Sequence, residues 1–134
     1  MSISKRTRFI ITLSTLIANT SKEKYVIAVR DALEVLTPIE IKEVLYQSVA
    51  YVGLGKTFEL FEVTNDVLTK NGVNLPLKSM AVVNKDNRHK KGLEIQKKYF
   101  GAEMIEEMIE NTPEGQERFN EFLAGYCFGD FYTR

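Results

Sequence analysis

Apolar residues recur along this chain at helical spacing almost throughout, and nowhere alternate over a strand's length. Phe9, Ile10, Leu13, Leu16 and Ile17 make a wide stripe that predicts a first helix from about Ser4 to Ala18. Ser21 stands where an N-cap belongs for a second helix, with Tyr25, Val29, Ala32 and Leu33 on one side. Thr37-Pro38-Ile39-Glu40 is a start signal: threonine caps, proline suits the first turn, and Glu40 occupies the capping-box position. The third helix turns Ile41, Val44, Leu45, Ser48 and Val49 inward and ends near Gly53 and Gly55.

A fourth helix is expected over residues 56–70, burying Leu60, Phe61, Thr64, Val67 and Leu68, with Asn71-Gly72 as its stop. Residues 73–87 contain a proline and little helical period, so they read as a connector, with apolar Met80-Ala81-Val82-Val83 as an irregular strap. Three more helices follow, over residues 88–100, 102–110 and 113–128. Ile105, Met108 and Ile109 face inward on the second of these, and Phe119, Phe122, Leu123 and Tyr126 on the third. Residues 129–134 read as a loop or short turn. The expectation is an all-α bundle of six or seven helices in one domain, residues 1–134: core helices to residue 72, a connector over 73–87, and a segment over 88–134.

Composition narrows the function. A chain of 134 residues buries roughly two thirds of its unfolded surface, enough for a real core. Eighteen basic residues balance eighteen acidic ones, so no global field draws in nucleic acid or an anionic membrane. The lone Cys127 supports neither an intrachain disulfide, nor a CxxC redox pair, nor a thiolate zinc site. The first twenty residues imitate a signal peptide, but Thr12, Ser14 and Thr15 interrupt the apolar run and no small-residue cleavage site precedes Lys22-Glu23-Lys24. A core helix and a cytoplasmic protein are the expectation.

Three stretches carry a resemblance. The first is Ser4-Lys5-Arg6-Thr7-Arg8 leading into Phe9-Ile10-Ile11-Thr12-Leu13. The second runs from Glu40 to Gln47 and on to Ala50-Tyr51-Val52-Gly53. The third combines Lys91-Gly92-Leu93, Tyr99-Phe100-Gly101 and the run from Cys127 to Arg134. Together they resemble the carboxymuconolactone decarboxylase family, which includes the alkylhydroperoxidase-D-like peroxidases. In decarboxylase-type members the Gly-Asp-x-Tyr-x-Arg segment comes first and runs into the basic helix; here Gly129-Asp130 follows instead. The resemblance therefore implies a circular permutation, or one unit of a tandem array, with residues 73–87 as the new joint and Met1 near Arg134. The helices after the connector are then candidates for exchange between subunits.

The resemblance also says where chemistry belongs. Peroxidase members use a CxxC and a histidine four residues beyond it. The matching positions here are Ser21, Lys24 and Ala28, which argues against a thiol peroxidase. Decarboxylase members keep the histidine and an acidic residue in the Gly-Asp segment. Loss of carboxylate from such a lactone leaves an extended enolate, which needs a proton donor and a nearby cation. Ala28 replaces the histidine, while Arg30 and Asp130 stand at matching positions and Lys24 is able to bind a carboxylate. Lys24, Arg30 and Asp130 are thus the implied catalytic set. The competing reading is a solvated lysine, a structural ion pair at Arg30, and a loop-fixing cluster of Asp130, Tyr132 and Arg134.

Gln47 and Tyr51, four apart on the third helix, share a face and are candidates for substrate binding or for hydrogen-bonded core polar groups. His89, the only histidine, lies in the basic run Arg88-His89-Lys90-Lys91 and reads as a solvated linker residue. Cys127, between Tyr126 and Phe128, reads as a buried, inert thiol. No cofactor or metal is implied. Two readings stand: a decarboxylase-like enzyme acting on a small anionic lactone or related acid, and a non-catalytic oligomeric binding or scaffold protein that retains the fold. The family commonly forms trimers or hexamers, so a homo-oligomer is the expected partner state.

Overall fold

The computed structural model describes residues 2–19 and 21–134, and among them it is all-helical, without a strand. The contacts divide the chain into two compact units, one ending at Ser79 and the other spanning Met80–Arg134. The expected closeness of Met1 to Arg134 lies outside the described residues.

The first unit holds α1 (Lys5–Asn19), α2 (Lys22–Ala32), α3 (Pro38–Val52) and α4 (Leu54–Lys70). α1 packs against each of the other three, and α4 also packs on α2 and α3. The stripes meet in one core: Leu13 and Ile17 from α1, Tyr25, Val29 and Ala32 from α2, Ile41 and Leu45 from α3, Leu60, Val63 and Val67 from α4. Each fully buried leucine or isoleucine contributes about 1.5–3 kcal/mol. Ala28, at the position where the resemblance expects a histidine, belongs to this core.

Local signals act as the sequence suggests in most places. The Thr37 hydroxyl accepts from the Glu40 N–H, and the Glu40 carboxylate accepts from the Thr37 N–H, completing the capping box. Arg6 of α1 also donates to Glu40, tying two helices at that cap. α4 ends in a Schellman motif: the Val73 N–H reaches the Leu68 carbonyl and the Gly72 N–H that of Thr69, with Gly72 at φ +81°. Ser21 differs from expectation. It precedes α2, but its side chain makes no cap hydrogen bond.

One polar pair sits inside the core. The Thr64 hydroxyl donates to the Leu60 carbonyl at 2.6 Å, so the Tyr25 hydroxyl, 2.8 Å away, donates to Thr64. Burial pushes the Tyr25 phenol up to about 12, against the opposing effect of this bond.

Between Lys70 and Arg88 the chain is irregular. The second unit holds α5 (Arg88–Phe100), α6 (Ala102–Glu110), α7 (Glu117–Phe122) and a terminal π-helix (Leu123–Phe131). Here the sequence reading needs correction. The expected helix over residues 113–128 starts later, and its second half widens into a π-helix reaching Phe131, where a loop was expected. The Tyr132 N–H still bonds the carbonyl five residues back, at Cys127. Ala124, Gly125, Phe128, Gly129 and Phe131 face inward, while Phe119 and Phe122 are 66% and 58% exposed. On α6 only Ile105 is fully buried; Ile109 is exposed.

Candidate functional site

The five residues nominated by the sequence occupy different local settings within their own units. Lys24 and Arg30 are exposed on α2 and, six positions apart, diverge by about 120° around its axis. Arg30 donates through Nε and Nη2 to Asp31 Oδ1 at 3.0 and 2.9 Å, so its charge is already answered by its neighbour. Gln47 is half-buried on α3, and Tyr51, one turn on, is 69% exposed. These four belong to the first unit and Asp130 to the second.

Within the second unit Asp130 accepts from Arg88 Nη1 at 2.9 Å. That contact depends on how closely α5 approaches the π-helix. Asn84 and Asn87 exchange side-chain and backbone bonds in a turn that launches α5. Gly92 then lies against the Ala124 backbone, and Gly129 against that of Arg88. Gly125 lets His89 and Arg88 pass within ordinary van der Waals reach. The missing side chains of Gly92 and Gly129 therefore bring the start of α5 onto the π-helix.

This crossing forms two adjoining clefts. The larger, about 420 Å³, is lined by Lys85, Arg88, His89, Arg118, Glu121, Phe122, Gly125 and Tyr126. Three basic side chains, Lys85, Arg88 and Arg118, face one carboxylate, Glu121, there. The buried Tyr126 hydroxyl has no hydrogen-bond partner among the described residues. Burial first, and then the nearby Cys127 and Asp130, raise its pKa, so the phenol stays protonated and available as a donor. Leaving such a group unpaired costs about 1–3 kcal/mol. The smaller cleft, about 310 Å³, is lined by His89, Leu93, Gln96, Met108, Ile109, Thr112, Glu117, Asn120 and Glu121. His89 and Glu121 belong to both.

His89 is solvent-exposed, as its sequence setting suggests, but it stands at the junction of two clefts rather than in a linker. Arg118, Tyr126 and Gln96 were not legible as site residues. The one sequence signal was the basic run at residues 88–91, joined to glycines at 92, 125 and 129. Cys127 is half-buried and burial raises its thiol pKa, so it is held in the unreactive form. No helix among the described residues is long and apolar enough to cross a membrane. Compared with known protein families, curated proteins and solved structures, the chain matches none.

Proposed function

We propose that this chain is a carboxymuconolactone decarboxylase-like protein, circularly permuted, that binds a small anionic lactone or related acid in the basic cleft of its second unit. The observation that carries this reading is the unpartnered Tyr126 hydroxyl in a cleft lined by Lys85, Arg88 and Arg118. A carboxylate there would accept from the phenol and pair with guanidinium groups, contacts stronger than those between neutral partners. Asp130, which the family resemblance singles out, contributes by orienting Arg88 rather than by touching the acid.

Binding without turnover is favoured over catalysis by two observations on α2. Ala28 fills the family histidine's position with a core methyl group, and Arg30 is engaged by Asp31. On α2 the histidine's proton donor is therefore missing and Arg30 is paired, which leaves the exposed Lys24 as the remaining cation of the implied set. A cytoplasmic homo-oligomer, trimer or hexamer, of the alkylhydroperoxidase-D-like type completes the proposal. The exposed Tyr51, Leu54 and Phe58 of the first unit offer apolar surface for assembly.

The deciding experiment is calorimetric titration of a carboxymuconolactone into wild type and three variants, with product formation followed in parallel. Arg118→Ala and Tyr126→Phe each weaken binding by about tenfold, the worth of one charge-assisted contact. Arg30→Ala leaves it unchanged. Turnover that vanishes in Arg30→Ala would return the site to α2, and no binding by wild type would overturn the proposal.

A further inference from the structure

The smaller cleft of the second unit has a chemistry opposite to that of its neighbour. Leu93, Met108 and Ile109 give it apolar walls. Gln96 lines it at only 2% exposure, and its buried Oε1 accepts no hydrogen bond among the described residues. A buried amide oxygen left in this state carries the full desolvation cost of an unmade bond, and that is uncommon in a well-packed interior. The terminal torsion of glutamine is intrinsically broad, so the amide has no strong setting of its own that holds the oxygen away from a ligand.

The remaining polar groups sharpen the assignment. The Thr112 hydroxyl is used in both directions. It donates to the carbonyls of Met108 or Ile109, at 3.0 and 2.8 Å, and accepts from Asn120 Nδ2 at 2.8 Å. Asn120 has thereby committed a donor, while its side-chain oxygen remains an acceptor. Glu117 and Glu121 add two carboxylates at the exposed side, and Glu117 Oε2 accepts from the Gly115 N–H. What this cleft offers an occupant is mainly acceptors and negative charge over an apolar wall.

We infer that the smaller cleft is a binding site for a small primary amine with an apolar body, held as its ammonium ion. The apolar body lies against Leu93, Met108 and Ile109, and the N–H donors meet Gln96 Oε1 and the glutamates. An acid is repelled by the same carboxylates, so the two clefts sort ligands by charge although they share His89 and Glu121. The site is independent of the anion reading above.

The test uses benzylamine and its neutral isostere, benzyl alcohol, titrated into the full-length protein with methyl-labelled Leu, Ile and Met followed by NMR. The amine is expected to shift the Leu93, Met108 and Ile109 methyls saturably and to bind about fivefold to tenfold tighter than the alcohol. Gln96→Leu should weaken the amine by about tenfold while melting no lower than wild type, since it removes an unpaired buried carbonyl. Glu117→Gln, an exposed change that preserves an acceptor for Gly115, should narrow the difference between amine and alcohol. Equal affinity for the two probes, undiminished binding in Gln96→Leu, or no saturable shift at these methyls would each overturn the assignment. Because no anion is involved, failure here leaves the carboxylate titration untouched, and the converse holds.

Discussion

A β-carbon on Gly129 would lie 2.1 Å from the Arg88 carbonyl oxygen, so α5 and the π-helix touch backbone to backbone where these residues meet. Gly92 makes the reciprocal contact: a β-carbon there would come 1.7 Å from the Ala124 carbonyl oxygen. Neither clash is with a side chain that can swing aside.

Gly92→Ala and Gly129→Ala are each expected to destabilise the second unit by more than about 3 kcal/mol, the upper end of ordinary overpacking. Gly125→Ala is the internal control. Its nearest neighbour across the crossing is His89 Cα at 3.7 Å, so it should be tolerated. Hydrogen exchange of α5 amides across the three variants separates the cases; equal protection in all three would contradict the backbone contact.

The buried Tyr25–Thr64 pair should respond asymmetrically. Tyr25→Phe removes a donor and leaves Thr64 bonded to Leu60, at a cost of about 1 kcal/mol. Thr64→Val strands the Tyr25 hydroxyl in the core and should cost about 1–3 kcal/mol. Urea unfolding of both variants measures the difference, and a larger loss in Tyr25→Phe would reverse the assigned donor.

Glu40 links stability to pH. The Arg6 side-chain bond first, and then the Thr37 backbone N–H, hold its carboxyl at about 2, below the ordinary 4.5. A depressed folded-state pKa means stability that is present above the unfolded value and is lost as pH falls through the folded one. Thermal unfolding of wild type should therefore weaken between about pH 4.5 and 2 more steeply than that of Glu40→Gln, which keeps a capping acceptor without the titrating charge. Parallel curves would show that the charge is not what Arg6 holds.

The proposed permutation has a direct test. A chain opened between Ser79 and Met80, with Arg134 joined to Met1 by a short Gly/Ser linker, restores the family order. It is expected to keep the helical circular dichroism and to melt within a few degrees of wild type, a shift corresponding to roughly 1 kcal/mol. A molten or aggregated product would count against neighbouring termini.

The sequence by itself determined the four-helix unit closely. The stripes on α1–α4, the Thr37 capping box and the Asn71-Gly72 stop are local features, and a core stripe at period 3.6 says which face is buried without reference to any partner. The same logic failed over residues 123–134, because the terminal helix widens to i→i+5 bonding and no local pattern announces that change. The site could not be read in the same way. Lys24 and Arg30 were nominated from family positions, yet a charged side chain's role depends on what stands opposite it, and for Arg30 that is Asp31. Arg118 and Tyr126 in one cleft and Gln96 in the next take their places because glycines at 92 and 129 let two helices meet at backbone distance. Helix positions follow from near neighbours in sequence; clefts follow from contacts between residues far apart in it, and those the tertiary structure alone decided.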